Sequence, residues 1–373
     1  MKKTLAILLA LVLGMTVLFT GCGSGSDESA GGDGTEPVLK VGYIFIGAIN
    51  DGGFTQSMYE GAMKAEEELG GQIETKYIEN VSDGDISAST DAAMNLIDQG
   101  CNVIVGCSYG YMDALEALAN SGDYDDITFL HFSGNKMNDT NFDNWFGSME
   151  QARYLTGMAA ASVAKNGVLG YVAAHPYTEV QIGIDAFTLG AQAVNPDVEV
   201  KVVYIGTWGD AEIEKTAAEQ LIQAGAEVVC YHADSTATQV AAAEAGDVYA
   251  IGWNYPQNDC GDLYLTAAYW NTAAYFIPTF QSIMDGTFKP QSYYGTMADG
   301  LIAIDELSDA IPADVKAKIE DTKAKMEAGE FDVFTGPIKY NDGTVLCEEG
   351  QTLDRAGIWS INKEVEGVTA ISK

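Results

Sequence analysis

A buried strand, a glycine-rich turn and the start of a helix form the sequence feature that most constrains how this chain folds. Residues 41–56 have the sequence VGYIFIGAINDGGFTQ, in which an apolar run ends at a turn that contains Gly52 and Gly53. Further short apolar runs alternate along the chain with longer segments of helical periodicity. Such alternation is typical of parallel strands joined by helices. The pattern predicts an α/β fold with doubly wound parallel sheets.

The turn after this strand is the first candidate for a ligand-binding position, because ligands of open α/β sheets bind at the carboxyl ends of the strands. The candidates at this turn are Asn50, Asp51, Phe54 and Gln56. Two of them have a structural alternative. Asp51 could accept hydrogen bonds from a ligand or cap the helix that begins near Thr55. Phe54 could stack on a ligand or pack the helix against the sheet.

The alternation of strands and helices occurs in two successive halves, which predicts two Rossmann-like lobes. We predict that the first lobe comprises residues 38–147 plus 269–304, and that the second comprises residues 148–268 plus 305–373. This arrangement requires three crossover segments between the lobes. Three crossovers would act together as a hinge, so the expected architecture is a clamshell with a cleft between the lobes.

The N-terminal segment has the features of a targeting signal. Two lysines precede an apolar run at residues 4–19, which has secretory length and is short for a transmembrane anchor. The run ends in LFTGC, which resembles a bacterial lipobox and implies attachment of lipid, such as palmitate, to Cys22. We therefore expect a lipoprotein signal peptide at residues 1–21 and a flexible tether at residues 22–37. The protein would then be anchored by lipid on the extracytoplasmic face of the cell membrane.

The composition excludes several classes of partner. The formal net charge is −35, which argues against nucleic acid and anionic lipid surfaces because both would repel the chain. Removal of a signal peptide would leave about 350 residues, a length typical of two domains. Apart from Cys22, the cysteines are scattered without CxxC spacing, which indicates buried thiols and not a disulfide framework or metal site.

The sequence lacks the motifs of common enzymes and metal sites. It contains no GxSxG, GxxxxGK[ST] or HExxH pattern. Its histidines are His131, His175 and His232, and they do not form a recognisable metal triad. The carboxylates of Asp51 and Asp234 could do acid–base chemistry, but no nucleophile accompanies them. We therefore predict no cofactor, no metal and no enzyme activity.

Several short motifs, in their order and spacing, are similar to those of the basic membrane protein (BMP) lipoproteins, the purine nucleoside receptor-like substrate-binding proteins of ABC transporters. The motifs are NDGGFTQ (50–56), QARYLTG (151–157), GAQAVNPD (190–197), GTWGD (206–210), AGAEVV (224–229) and YAIG (249–252). The resemblance covers nearly the whole mature chain. It implies a type I periplasmic-binding-protein fold and a monomer that binds a small molecule between its lobes and docks on an ABC permease.

Two departures from the family pattern favour a free base over a nucleoside as the ligand. The chain has IGWN (251–254) where the family's nucleoside binders have IGVD, and it has Trp270 where they have a lysine. That aspartate and lysine hold ribose hydroxyls in the nucleoside receptors, whereas Asn254 and Trp270 cannot accept two hydroxyl donors. The segments HPY (175–177) and GIDAF (183–187) also resemble a branch of the family associated with a purine base such as adenine.

A purine ligand needs aromatic surfaces for its two faces and a few directed hydrogen bonds for its edge. The aromatic candidates beyond the first turn follow predicted strand ends, and they are Tyr109, Trp208, Trp253 and Trp270. The polar candidates beyond the first turn are Asp234 and Asn254. Each tryptophan could instead pack at a lobe interface, and Asp234 could cap the helix that begins near residue 236.

Three alternatives to an adenine-like nucleobase stay open on the sequence. The same scaffold could bind a purine nucleoside or another flat heterocycle such as riboflavin. The protein could instead be a ligand sensor whose closed form signals to a membrane receptor. A hydrolase that acts on a purine compound is the remaining alternative, and product formation would reveal it.

Overall fold

The computed structural model describes residues 38–371 of the chain. The predicted signal peptide (1–21), the predicted lipidation site Cys22 and the predicted tether (22–37) lie outside these residues. Within residues 38–371, no helix combines the length and the apolar composition that crossing a membrane requires. The described residues comprise both predicted lobes and a C-terminal extension.

Strands and helices alternate through most of this range, as the apolar periodicity predicts. The strands are β1 (Leu39–Phe45), β2 (Ile73–Ile78), β3 (Val103–Cys107), β4 (Thr128–Phe132), β5 (Phe142–Gly147), β6 (Val168–Ala173), β7 (Glu199–Tyr204), β8 (Val228–His232), β9 (Tyr249–Asn254), β10 (Tyr264–Trp270), β11 (Ser292–Gly295), β12 (Ile302–Ile304), β13 (Ile338–Lys339), β14 (Val345–Cys347) and β15 (Val368–Ala370). The helices are α1 (Phe54–Leu69), α2 (Ile86–Asp98), α3 (Met112–Ala119), α4 (Met149–Val163), α5 (Thr178–Gln192), α6 (Ala211–Gln223), α7 (Ala237–Ala245), α8 (Ala273–Met284), α9 (Ala313–Glu327) and α10 (Arg355–Ile358).

Six strands form the first sheet, in the order β11-β5-β4-β3-β1-β2, and all of its pairings are parallel. Helices α1, α2 and α3 pack on this sheet, and α8 packs against α1. We call this sheet and these four helices the first lobe. Every residue of β3 is buried, because a central parallel strand is covered on both faces. The turn after β1 therefore lies at the carboxyl edge of a buried strand.

Seven strands form the second sheet, in the order β12-β10-β9-β8-β6-β7-β15. Only β12 is antiparallel to its neighbour among these pairings, and Trp270 of β10 lies opposite Ile302 of β12. We call this sheet with α4, α5, α6, α7 and α9 the second lobe. The predicted boundary at 269–304 is therefore too wide at both ends. Residues 269–270 and 302–304 belong to the second sheet, since their backbone pairing joins them to it and no local apolar pattern reveals that pairing.

Residues 334–371 form a C-terminal tail that is attached to the second lobe. The strand β15 pairs with β7, and the backbone amide of Val365 donates a hydrogen bond of 3.0 Å to Oδ1 of the buried Asp185. Gln192 Nε2 donates a bond of 2.6 Å to the carbonyl oxygen of Glu366. These contacts fix the tail to α5 and β7, so the tail belongs mechanically to the second lobe.

One hydrophobic core extends through both lobes, and it includes Tyr43 and Met58 of the first lobe together with Leu169 and Val229 of the second. A separate apolar cluster, which includes Leu96, covers the other face of the first sheet beneath α2 and α3. The continuity of the larger core means that the two lobes are packed against each other.

Candidate ligand-binding site

The turn at residues 50–56 satisfies its own polar groups. Asp51 Oδ1 accepts hydrogen bonds from the amides of Gly53 at 2.8 Å and Gln56 at 3.0 Å, and Asp51 Oδ2 accepts one from the amide of Thr55 at 3.0 Å. Gln56 Oε1 accepts a bond of 3.0 Å from the amide of Gly52. Amides of the first helical turn lack intrahelical partners, so the Asp51 carboxylate caps α1. Asp51 therefore has the geometry of a helix cap, which is the structural alternative to a ligand contact.

The same turn contacts the second lobe at the loop that follows β8. A side-chain Cβ at Gly53 would lie 3.0 Å from the carbonyl oxygen of Asp234, and one at Gly52 would lie 3.1 Å from Thr236 Cγ2. Any larger residue at Gly53 would therefore push the lobes apart. The turn thus serves as a point of contact between the lobes, and its glycines permit the close approach.

Three further predicted residues form a linked group on the second-lobe side of this contact. Asn254 Nδ2 donates a hydrogen bond of 3.0 Å to Asp234 Oδ1, and the amide of Asp234 donates one of 2.7 Å to the carbonyl oxygen of Trp208. Removal from water raises the pKa of Asp234 well above its ordinary value, and the nearby charge of Asp51 raises it further. Asp51, Asp234 and Asn254 therefore lie near one another, and a direct hydrogen bond joins Asp234 and Asn254.

Phe54 and Trp270 are partners in an aromatic cluster between the lobes. The ring centroid of Phe132 lies 5.1 Å from that of Phe54 and 5.2 Å from that of Trp270. Phe146 lies 5.2 Å from Trp270 in the same cluster. Trp270 is buried, and such edge and tilted contacts stabilise a packed core. Phe54 and Trp270 therefore have the geometry of core-packing residues, which is the alternative to a ligand contact.

Tyr109 and Asn50 are the two exposed members of the predicted set. Tyr109 is 62% exposed, and Asn50 is also exposed. Tyr109 begins a short 3-10 turn after β3, so it projects from the first lobe toward solvent. Of the predicted set, these two have the least support as contacts of an enclosed ligand.

A small cavity of about 20 Å³, measured as the space open to the centre of a water-sized sphere, lies between the lobes beside the aromatic cluster. Its aromatic lining consists of Phe146, Trp253, Tyr294 and Trp359, and its polar lining includes Glu150, Arg153, Glu179 and His232. Trp253 is the one member of the predicted set that lines it. The first lobe contributes β5 and β11, the second lobe contributes α4, α5, β8 and β9, and the tail contributes Trp359.

Arg153 is a buried cation at this cavity. The residue has no exposed surface, its Nη1 donates to Cys230 Sγ at 3.2 Å, and its Nη2 donates to the carbonyl oxygen of Tyr231 at 3.0 Å. Its guanidinium carbon lies 3.5 Å from the ring centroid of Trp253. No carboxylate within residues 38–371 forms an ion pair with it. A buried charge is costly unless it is paired, so the aromatic face of Trp253 compensates it in part.

Four buried polar atoms near the cavity have no hydrogen-bond partner among the described residues: Arg153 Nε, Tyr171 Oη, His232 Nδ1 and Trp253 Nε1. We call them the open polar atoms. Buried polar atoms in folded proteins nearly always have a partner, and each exception requires an explanation. Nine such side-chain atoms occur among the described residues, and these four lie around one cavity wall. We call the group Arg153, Gly183, His232 and Trp253 the second-lobe wall.

Two carboxyl groups in the cavity lining have perturbed acidity. Burial raises the pKa of Glu150 to about 7. The loss of solvent in the cleft raises the pKa of Glu179 to about 7, although the charge of Arg153 acts in the opposite direction. Glu179 Oε1 lies 3.9 Å from His232 Nε2. Burial, with help from the charge of Arg153, lowers the pKa of His232 well below its ordinary value, so this imidazole is neutral.

The tail closes the cavity from the side of the first lobe. Trp359 Nε1 donates a hydrogen bond of 3.2 Å to Tyr294 Oη, and the Trp359 ring lies 5.6 Å from that of Phe146. The guanidinium carbon of Arg355 lies 4.0 Å from the centroid of the Tyr294 ring. Because the tail is attached to the second lobe, these contacts tie the two lobes together at the cavity.

The sequence prediction missed Arg153 and Trp359. Arg153 is a charged residue within a segment of small and apolar side chains, QARYLTGMAAA, and this pattern was a signal that its guanidinium is buried. Trp359 directly follows the short helix α10, and no sequence signal connects it with the lobes. Among the described residues, no group of three or more metal-ligating side chains could hold a metal ion.

Comparisons with known proteins identify relatives over most of the chain. The family model described as ABC transporter substrate-binding protein, PnrA-like, matches residues 38–333. A purine-binding protein of Brucella abortus is 35% identical over 335 residues, which are 89% of this chain and 93% of that protein. A Haloferax volcanii protein named for glucose binding in an ABC transporter is 31% identical over 319 residues, 85% of this chain and 79% of that protein.

Solved structures show the same architecture. An ABC transporter system solute-binding protein from Conexibacter woesei has a TM-score of 0.68 to this chain at 21% identity. The match covers 79% of this chain and 98% of that protein. The likeness confirms the predicted fold of two α/β lobes with parallel sheets.

Proposed function

This chain belongs to the Bmp family, the PnrA-like substrate-binding proteins of ABC transporters, and we propose that its ligand is a free purine nucleobase, adenine-like in that it has no sugar. Proteins of such a family bind a solute and present it to permease components, and they do not convert it. The chain is therefore a receptor and not an enzyme.

The observation that carries the proposal is the lining of the cavity between the lobes. Trp253, Phe146 and Trp359 supply aromatic faces, and the open polar atoms lie beside them. A purine base presents two flat apolar faces and an edge of hydrogen-bonding groups, so it matches a pocket of this composition. The carboxyl groups of Glu150 and Glu179 can accept hydrogen bonds from ring or amino N–H groups of such a base.

The lining of the cavity supports a base over a nucleoside. Trp253 is buried on the second sheet and lines the cavity, where it leaves less polar surface for a ribose. The name of the Brucella relative also supports a purine, whereas that of the Haloferax relative makes a monosaccharide the competing class of ligand.

Binding would stabilise the closed arrangement of the lobes, because the ligand contacts residues of both and of the tail. We propose that the protein is a monomer whose closed form docks on the permease. We also propose that Cys22 carries lipid and anchors the protein on the extracytoplasmic face of the cell membrane. Metabolic labelling with palmitate would test the anchor. Label should be present in the full chain and absent from a Cys22→Ala variant, and label in both would contradict it.

The ligand is best identified by mass spectrometry of small molecules released from the purified protein. Titration calorimetry with adenine, guanine, adenosine, inosine, riboflavin and glucose should follow. We expect a free base to bind at least about tenfold more tightly than its nucleoside, a difference of about 1.4 kcal/mol. Tight binding of adenosine without binding of a base, or binding of glucose alone, would overturn the proposal.

A further inference from the structure

A short and largely exposed segment of the C-terminal tail, residues 354–360, reaches from the second lobe to the first. Both of its ends are fixed to the rest of the tail. The amide of Leu353 donates a hydrogen bond of 3.0 Å to the carbonyl oxygen of Phe334, and Ile361 has no exposed surface. The segment contains α10. We call residues 354–360 the strap.

The strap contacts one tyrosine of the first lobe from two sides. The guanidinium carbon of Arg355 lies 4.0 Å from the centroid of the Tyr294 ring, and Trp359 Nε1 donates a hydrogen bond of 3.2 Å to Tyr294 Oη. Tyr294 belongs to β11, at the edge of the first sheet. Because the tail pairs with β7 of the second sheet, the strap joins the lobes outside the crossover segments. A motion that parts the lobes would have to break these contacts.

The contact of Arg355 with Tyr294 is formed by protein groups alone. Arg355 is exposed, and it is not among the residues that line the cavity. A contact that does not involve the ligand stabilises the joined lobes equally with and without ligand, so it has little effect on affinity. It does raise the free energy that is needed to part the lobes. That free energy would affect both the entry and the exit of a ligand.

We propose that the strap holds the lobes together whether or not a ligand is bound, and thereby limits the rate at which ligand enters and leaves the cavity. This inference rests on the proposed function, because it concerns exchange of the ligand at the same cavity. The family model ends at residue 333, so the strap lies in a part of the chain that the model does not describe. A cation over an exposed aromatic ring gives only a modest stabilisation, which allows the strap to open for exchange.

Arg355→Glu tests the inference in the full chain, because it places a negative charge over the negative face of the Tyr294 ring. In stopped-flow fluorescence with adenine, the association and dissociation rate constants should both rise by about fivefold, while the dissociation constant changes less than about threefold. Lys363→Glu is the matched control, since it changes the net charge equally. Lys363 lies 5.5 Å from the centroid of the Tyr340 ring, but both residues belong to the tail. Its rate constants should equal those of the wild type.

Small-angle X-ray scattering without added ligand gives a test that does not depend on purine binding. Arg355→Glu should have a larger radius of gyration than the wild type and Lys363→Glu, and circular dichroism should show that all three proteins are folded. Equal radii, or a rise in the dissociation rate constant alone, would overturn this inference and leave the purine proposal intact. A larger radius in Arg355→Glu, with binding of neither adenine nor guanine to the wild type, would overturn the proposed function and support the strap.

Discussion

The turn at residues 50–56 and the second-lobe wall both present polar side chains beside the lobe interface, but their hydrogen bonds are arranged in opposite ways. The carboxylate of Asp51 accepts three bonds from the amides of its own turn. Arg153 Nε and Trp253 Nε1, in contrast, have no partner within the described part of the chain. The turn is complete without a ligand, whereas the wall is not.

We infer from this difference that the turn stabilises the fold and that the second-lobe wall binds the ligand. A polar group that already has its partners loses nothing when the cleft is empty, and it gains little from a ligand. A buried donor without a partner incurs the cost of desolvation until an acceptor arrives. We therefore propose that the turn serves helix capping and lobe contact, and that the second-lobe wall serves ligand recognition. The following substitutions test that assignment.

The largest effect should come from Arg153→Met, which keeps an apolar side chain of similar length and removes the charge. Loss of a hydrogen bond to a charged donor should weaken binding of the purine ligand by about 100-fold. Titration calorimetry measures this change, and circular dichroism checks that the variant is folded. Arg355→Met is the matched control, because Arg355 lies over the Tyr294 ring from the outside and should alter affinity less than about threefold. If Arg355→Met weakened binding as much as Arg153→Met does, the second-lobe wall would have no special role in recognition.

Trp359→Ala should cause a smaller loss of affinity for the ligand, because it removes the aromatic ring that the tail contributes to the cavity lining. Aromatic contacts contribute about 1 kcal/mol each beyond their buried area, so affinity should fall by about tenfold. Trp359→Phe should retain most of it, since the phenyl ring can still contact Phe146 while the hydrogen bond to Tyr294 is lost. If both variants bind as the wild type does, the tail has no part in the site.

Asp51→Ala should affect stability and not recognition. Loss of a helix cap destabilises a protein by about 1 kcal/mol, which chemical denaturation can measure, while affinity for the ligand should change less than about threefold. Asp85→Ala is the matched control, because Asp85 caps α2 by accepting from the amides of Ser87 and Ala88. A large loss of affinity at unchanged stability in Asp51→Ala would place the turn in the binding site.

Glu150 gives the smallest expected effect, a dependence of stability on pH. Its pKa is about 7 in the folded protein against an ordinary value of 4.5, so between these values the folded state holds a proton that the unfolded chain has released. The free energy of unfolding contributed by this group therefore falls as the pH rises from 4.5 to 7. The melting temperature should be higher at pH 5.5 than at pH 8. In Glu150→Gln this difference should shrink by about 2 °C, and an unchanged difference would contradict the assignment.

The sequence predicted the fold well because apolar periodicity reports burial directly. The boundary errors at residues 269–270 and 302–304 have a physical cause. Residues 269–270 end β10 and residues 302–304 form β12, and the place of both is set by pairing between distant parts of the chain. The residues of such a strand do not indicate, by their local sequence, which distant strand they pair with. Sheet membership at a crossover is therefore decided by tertiary structure.

The candidate site could be predicted only in part. Several of the predicted strand-end residues lie beside the other lobe, but the sequence cannot tell whether Asp51 accepts from its own turn or from a ligand. Trp253 was recognised because it departs from a motif. Arg153 was not, because its importance depends on which of its donors is left without a partner in the folded chain. That property belongs to the three-dimensional arrangement around Gly183.

A crystal structure of the protein with its co-purified ligand tests the central claim most directly. We expect a purine ring against Trp253, with a polar atom of the ligand within about 3 Å of the Arg153 guanidinium and Asp51 still bonded to the amides of Gly53 and Thr55. A ligand held by the Asp51 carboxylate, with Arg153 Nε bonded only to water, would contradict it.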